Sequence, residues 1–311
     1  MMDLHMHTVY SDGKLREEDI FELSKRCSRI SITDHNSVGM YLQLSGSLED
    51  KRTQEFVSRA IIGVELTIEG YPDLLAYYPT ERFSSDNLAT LEKRLQAIRI
   101  DEEEAIKEAY YSLGLDRWDS DKKMAFPDYA RVSEARTMEL ASILYQRRTS
   151  TTQAGHFERK DLLKARIARQ SVREAKGKPK TNPYAFGRET GCQLVLAHPI
   201  RTAIKFADRS KDYMRVAQSL EHIFSAFSNN GGCIIEWEYL DCEFTKEFDR
   251  YPVLQYHFND FRELVKHYMD EYSFCCVWGS DTHGRIPANY PSWGDEPFTG
   301  IKNNLPEWLK C

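Results

Sequence analysis

Five short stretches of this chain share one pattern: an apolar run that ends in carboxylate or imidazole side chains. They are Asp3-Leu4-His5-Met6-His7, followed by Ser11-Asp12-Gly13; Ile32-Thr33-Asp34-His35-Asn36; Gly63-Val64-Glu65-Leu66-Thr67; Leu196-Ala197-His198-Pro199; and Gly279-Ser280-Asp281-Thr282-His283-Gly284. Runs of this length between amphipathic stretches read as strands of a βαβ pattern, which predicts a parallel sheet or barrel. The predicted strands are 2–6, 30–33, 60–66, 73–78, 193–197, 233–237 and 274–278. In parallel α/β folds the loops after the strands converge at one end, and sites are built there. A chain of this kind is therefore expected to gather its acids and imidazoles at a single rim.

The individual segments support that expectation unequally. His5 and His7 are two apart, so on a strand both side chains point to one face and can grip one ion. Glu65 interrupts an otherwise apolar run. A buried glutamate without a partner is costly, so Glu65 is expected to meet cations, either an ion pair at the rim or a metal. Asp281 and His283 repeat the spacing of His5 and His7. His156, His222, His257 and His267 lack such a context and read as ordinary histidines.

From residue 84 to about 191 the strand signals stop. Leu88, Leu91, Leu95 and Ile98 step by three and four, followed by Ile106, Ala109, Tyr110 and Leu113, with Gly114 as a C-terminal stop. Further helices are predicted over 133–147 and 157–175, and beyond the insertion over 213–227 and 259–272. The organisation expected is a barrel domain from 1–83 and 190–311, with 84–189 as an all-helical insertion that caps the substrate site. The Pro-containing stretch 286–310 reads as an ordered loop wrapping the body.

Net charge is −6, yet eleven basic residues against three acidic ones between Arg147 and Lys180 give that segment +8 and leave −14 for the rest. An acidic body beside one basic segment suits cations in the body and an anionic substrate nearby, and it disfavours long nucleic acid. Hydrophobic residues at 41% and charged residues at 29% exclude a disordered or collagen-like chain. No apolar run approaches the roughly 18 residues that cross a bilayer, and the start Met1-Met2-Asp3-Leu4-His5 is not a secretory leader; a soluble, cytoplasmic protein without a membrane partner is expected. Seven cysteines without C-x-x-C spacing point to reduced thiols, not a disulfide framework or thiolate zinc site.

Taken in order, Asp-Leu-His-Met-His with Ser-Asp-Gly, Thr-Asp-His-Asn, Gly-Val-Glu-Leu-Thr, Leu-Ala-His-Pro and Gly-Ser-Asp-Thr-His-Gly resemble the motifs of the PHP superfamily, named for polymerase and histidinol phosphatase domains. The resemblance spans Asp3 to Gly284. It implies a distorted (β/α)7 barrel with a trinuclear metal centre at the strand C-termini: two to three divalent ions, manganese, iron or zinc, with magnesium also admissible. Position by position it assigns His5, His7, Glu65 and Asp281 to one ion, Glu65 and His198 to a second, and Asp12, His35 and His283 to a third. Where many relatives carry a histidine at the start of the strand after the bridging glutamate, this chain has Asp73. An aspartate ligates through oxygen, which favours harder ions such as Mn²⁺ or Mg²⁺ and leaves room for a weakly held second ion.

The helical insertion looks like that of the nucleoside monophosphate phosphatases and cyclic-phosphate hydrolases of that superfamily, including a basic run comparable to Lys164-Ala165-Arg166-Ile167-Ala168-Arg169. The activity implied is metal-dependent phosphoester hydrolysis of a small phosphorylated metabolite, a nucleotide in mono-, bis- or cyclic phosphate form. Water activated by a metal pair needs no side-chain nucleophile, so Glu65 and Asp281 are the expected catalytic groups, holding or orienting that water. Arg201 is a candidate phosphate clamp because guanidinium binds phosphate oxygens bidentately. Arg166 and Arg169 are candidate substrate contacts, and Glu236, on one strand face with Glu238, is expected to meet either substrate or the metal ligands. Other outcomes consistent with the residues are an exonuclease for very short RNA with the +8 segment as its track, hydrolysis of a non-phosphate bond, and an inactive binding or regulatory module whose one support is Asp73.

Overall fold

The computed structural model describes residues 2–68, 70–115, 129–151, 156–175, 181–207, 210–238, 253–284 and 307–309. The chain is mixed α/β. Its main sheet has five strands, β3 (Ile62–Leu66), β4 (Leu74–Tyr78), β5 (Gln193–Leu196), β6 (Ile234–Glu238) and β7 (Cys275–Gly279), hydrogen-bonded in that order. A second, two-stranded sheet pairs β1 (Met2–Asp3) with β2 (Arg29–Ile30) in parallel.

The expectation of a uniformly parallel sheet needs correction. β4 runs antiparallel to both β3 and β5, whereas β5, β6 and β7 are mutually parallel. The cause is the short connection between β3 and β4, residues 67–73, which cannot hold a crossover helix and so returns as a hairpin. The reversal places Asp73, just before β4, at the same end of the sheet as Glu65 near the C-terminus of β3, since Leu66 pairs with Leu74.

The first two predicted strands form shorter ladders than expected because their backbone groups are shared between neighbours. Leu4 N–H donates to Trp278 O at 2.9 Å, and His7 N–H to Thr282 O at 2.9 Å, while Thr33 N–H donates to Met6 O at 2.8 Å. Ile61 N–H donates to Ile30 O at 2.9 Å, and single parallel bridges join Met6 to Thr282, Ile30 to Ala60 and His35 to Glu65.

Strand alternation sorts the core into two faces. Leu4, Ile61, Leu75, Tyr77, Val195, Ala197, Ile234, Cys275, Val277 and Leu309 pack together on one side. Ile62, Val64, Leu66, Leu74, Ala76, Leu196, Ile235 and Cys276 face the other way, into the larger core beneath the helices. Strands covered on both faces read as near-continuous apolar runs, which is why their sequence signal is strong.

The described α-helices are α1 (Glu17–Ser24), α2 (Gly39–Ser45), α3 (Lys51–Val57), α4 (Ser85–Ser112), α5 (Tyr129–Thr149), α6 (Arg159–Ala175), α7 (Pro183–Thr190), α8 (Pro199–Phe206), α9 (Tyr213–Asn229) and α10 (Val253–Glu271). α4 serves two cores. Its first half adds Leu88, Leu91, Leu95 and Ile98 to the main core, and its second half packs Ile106, Ala109 and Tyr110 against Leu140, Ala141, Leu144 and Ala165 of α5 and α6. It ends where its glycine sits: Gly114 has φ +68°, its N–H donates to Tyr111 O at 2.9 Å, and Leu115 N–H donates to Tyr110 O at 3.2 Å. Of the expected C-terminal loop, residues 286–306 and 310 lie outside the described residues; the turn Glu307–Leu309 buries Leu309 completely.

Candidate metal centre

All nine expected ligands meet at one end of the sheet. His5 and His7 follow β1, His35 follows β2, Glu65 lies in β3, Asp73 precedes β4, His198 follows β5, and Asp281 and His283 follow β7; Asp12 reaches in from the turn after His7. His5, His7, Glu65, Asp73 and His198 are buried, whereas the side chains of Asp12 and His283 remain 21% and 35% exposed, so the cluster opens on that side.

Glu65 is the hub. Its Oε2 lies 3.4 Å from His5 Nε2, 3.3 Å from His7 Nε2 and 3.1 Å from His35 Nδ1, and its Oε1 lies 3.0 Å from His198 Nε2. Asp281 Oδ1 stands 3.3 Å from His5 Nε2 and 3.1 Å from His7 Nε2, and the two Nε2 atoms are 3.1 Å apart. Around Asp12 Oδ1 stand His283 Nε2 at 3.3 Å, His35 Nε2 at 3.5 Å and His7 Nδ1 at 3.7 Å.

These spacings fit a divalent ion. Donor atoms about 2.1 Å from one ion and 90–110° apart are roughly 3.0–3.4 Å from each other. Two further observations agree. Glu65 Oε2 and Asp12 Oδ1 are buried and accept no hydrogen bond, although polar atoms so placed are almost always satisfied. The donors also fall into overlapping sets, His5-His7-Glu65, His5-His198-Asp281, Glu65-Asp73-His198 and His7-Asp12-His35-His283, each with ligand atoms within 4.8 Å. Imidazole with carboxylate suits Mn, Fe or Zn, and Asp73 adds oxygen.

The buried acids and imidazoles shift one another, and burial keeps the pKa of His35 below its ordinary value. Burial disfavours the imidazolium of His7, but the carboxylates of Asp281 and Glu65 outweigh it and push its pKa up to about 10. His5 is raised in the same way, against burial, by Glu236, Asp281 and Glu65. Burial opposes ionisation of Glu65 and Asp281, yet His35 and His5 hold Glu65, and Arg201 and His5 hold Asp281, well below the usual carboxylate range. Asp12 is lowered too, His35 and His283 overcoming its burial.

A layer of supporting groups fixes the ring orientations. Glu236 Oε1 is 2.7 Å from His5 Nδ1 and its Oε2 accepts His198 N–H at 2.9 Å, so the imidazole Nε2 of His5 is turned toward Glu65. Both oxygens are thus engaged and the residue is 1% exposed, which places Glu236 against His5 and His198. Gly279 leaves the space: a Cβ there would lie 2.1 Å from His5 Cβ and 2.4 Å from Glu236 Oε1. Asp34 accepts from Thr8 N–H, Thr8 Oγ1 and Ser11 Oγ at 2.6–2.7 Å, and Ser11 Oγ lies 3.3 Å from His7 Nδ1. His35 Nδ1 is 2.7 Å from Thr67 Oγ1. Among the described residues, five non-glycine residues have positive φ, and Asn36, His198 and Asp281 of this region are three of them. Such backbone persists where surrounding structure over-determines it.

α4 reaches the site from the helical segment. Glu92 Oε2 accepts Val38 N–H at 2.8 Å and its Oε1 accepts from Arg99 at 2.5 Å, while Arg99 also donates to the backbone carbonyl of Asn36, next to His35.

The expected substrate contacts divide. Arg201 stands at the rim with its Nη1 2.5 Å from Asp281 Oδ2. Arg169 does not face the site: it is 3% exposed, ion-paired with Glu102 of α4 and bonded to Thr137 of α5 at 3.1 Å, because α6 uses it to join the helices. Arg166 is half-buried on α6. Glu238's side chain lies outside what is described. Lys205, which the sequence reading passed over, pairs with Asp73 at 2.6 Å; its signal was the four-residue step from Arg201, legible once α8 is recognised as a helix. His257 and His267 pair with Asp260 and Glu271 on α10, and His156 packs on Tyr145, all outside the cluster.

No protein-family model and no curated protein matches the sequence. Among solved structures, the chain is similar to an amidohydrolase from Chromobacterium violaceum, with bound sulfate and no metal, over 92% of this chain and 88% of that one, at 15% identity and a TM-score of 0.44. It is also similar to a candidate metal-dependent phosphoesterase from Bifidobacterium adolescentis over 91% and 87%, at 16% identity and a TM-score of 0.45.

Proposed function

We propose that this chain is a metal-dependent phosphoesterase that hydrolyses a small phosphorylated metabolite, a nucleotide in mono-, bis- or cyclic phosphate form. The observation that carries the reading is Glu65, a fully buried carboxylate whose Oε2 accepts no hydrogen bond while three imidazole nitrogens stand 3.1–3.4 Å away. On this reading the strands from β1 to β7 form the distorted (β/α)7 barrel of the PHP superfamily, with 84–189 as its helical cap.

Two to three divalent ions held by His5, His7, Asp12, His35, Glu65, Asp73, His198, Asp281 and His283 would supply Lewis-acid activation of water and neutralise charge on phosphoryl oxygens. The chain's own groups do the rest. Glu236 orients His5 and His198, and Asp34 with Ser11 fixes His7. Glu65 and Asp281 present oxygens to the buried floor of the site, where water is scarce and electrostatic interactions are strengthened. Arg201, at the rim and 20% exposed, is placed to exchange its ion pair with Asp281 for bidentate contact with a phosphate. Substrate enters from the open side near Asp12 and His283, where the cluster is exposed.

The test is phosphate release over a panel of nucleoside monophosphates, 3′,5′-bisphosphates and cyclic phosphates, with Mn²⁺ added to the purified chain and with chelator. Turnover that needs the metal supports the reading. Absence of turnover across the panel, together with less than one bound ion per chain, overturns it. Degradation of dinucleotides without action on AMP would instead identify a short-RNA exonuclease.

A further inference from the structure

Arg201 and Lys205 leave α8 four residues apart and so share one face of the helix. Each engages a different carboxylate of the cluster: Arg201 holds Asp281, and Lys205 Nζ lies 2.6 Å from Asp73 Oδ2. Asp73 is at the same time one of three groups, with Glu65 and His198, whose ligand atoms lie within 4.8 Å of one another. One carboxylate thus faces two kinds of cation, a tethered ammonium and an ion shared with Glu65 and His198.

Resting on the metal-centre reading, we infer that Lys205 is an exchangeable counter-ion of the Glu65-Asp73-His198 subsite and keeps it the weakest of the centre. The side chain of Asp73 is 8% exposed, so its charge must be compensated whether or not an ion is present. Lys205 provides that compensation. An ammonium 2.6 Å from one carboxylate oxygen and a dication on the same group would repel each other across a few ångströms in a site poor in water, so filling the subsite requires Lys205 to leave. Departure is feasible because the lysine side chain is already 32% exposed and its ammonium can return to solvent on a flexible stem. The comparable tethered cation among the described residues is Arg201, which meets Asp281 through Oδ2 while His5 and His7 face its Oδ1. The centre therefore fills in steps, with the Asp73 subsite occupied only at higher free metal.

The experiment is a calorimetric titration of metal-free, full-length wild type, Lys205→Met, Lys205→Gln and Lys205→Arg with Mn²⁺, with bound metal counted by elemental analysis after dialysis at fixed free Mn²⁺. Thermal melts of the metal-free proteins check that each is folded, and Lys205→Gln keeps a hydrogen-bond donor should Lys205→Met fold poorly. The expected result is a roughly tenfold gain in affinity for the weakest class of sites in the Met and Gln variants, tighter classes unchanged, and wild-type behaviour in Lys205→Arg. A gain is not what mere structural damage produces. Wild-type titrations in both neutral variants, or a loss of the weakest class, would overturn the inference while leaving the metal centre standing. A wild type that binds no Mn²⁺ would remove both.

Discussion

Glu236 gives the sharpest test of how the centre is held, because replacing it by glutamine changes charge and donor pattern but not shape. The carboxylate accepts at both ends, from His5 Nδ1 at 2.7 Å and from His198 N–H at 2.9 Å. A glutamine has one acceptor and one NH₂, so whichever way it turns, one N–H of the site faces another donor. If the oxygen keeps His198, His5 loses the partner that turns its Nε2 toward Glu65; if it keeps His5, the backbone N–H of His198 is buried unsatisfied. Loss of such a supporting carboxylate costs about 10–100-fold in metal affinity, equivalent to roughly 1.4–2.7 kcal/mol. The assay is Mn²⁺ titration of metal-free Glu236→Gln beside wild type, with chemical denaturation of both. Affinity in the variant is expected to fall by at least tenfold while the protein stays folded. Unchanged affinity would refute the claim that Glu236 organises the ligands.

Glu65→Gln is expected to abolish metal-dependent phosphate release while the circular dichroism spectrum stays that of wild type; wild-type rates would contradict the hub role. Gly279→Ala must fit a Cβ 2.1 Å from His5 Cβ, and a destabilisation of about 1–3 kcal/mol is expected in urea titrations, with weakened metal binding. Arg99→Ala strips Glu92 and the Asn36 carbonyl of a buried partner and is expected to cost about 3 kcal/mol by denaturation. For the metal-free protein, the pKa of His7 rises on folding from about 6.5 to about 10, so its contribution is complete below pH about 6.5 and is lost as pH climbs through about 10. Glu65 and Asp281 act in the opposite sense: their lowered pKa values contribute above the ordinary carboxylate range, near pH 4, and that contribution is lost on acidification. The melting temperature of chelated protein should therefore be highest between about pH 5 and 6.5, and a melting temperature that rises from pH 7 to 10 would contradict the assignment.

The cluster was legible because most of its members sit in or beside an apolar run, and a strand buried on both faces writes itself as such a run. β3, β4 and β7 are buried throughout. The long helices were legible through their period, and α4 even through its closing glycine. Helices α2 and α3, seven residues each, and α8, eight residues, span about two turns, too short for a 3.6-residue period to stand out. The direction of β4 was hidden because a run of apolar residues is the same read against either neighbour; only the shortness of residues 67–73 betrays the hairpin. The burial of Arg169 was hidden for a related reason. Basic residues on an amphipathic helix look alike in sequence, and only tertiary packing separates one buried against Glu102 from those facing water.

Because His7 and Asp281 are 274 residues apart yet 3.1 Å from each other, nothing resembling a complete centre exists while the polypeptide is still emerging from the ribosome. The amino-terminal histidines must wait for the last strand to dock beside them, with the whole helical segment synthesised in between. Ion loading is then a late event, and a chain truncated before residue 275 would be expected to lack both the docking edge for β1 and the carboxylate that completes its site.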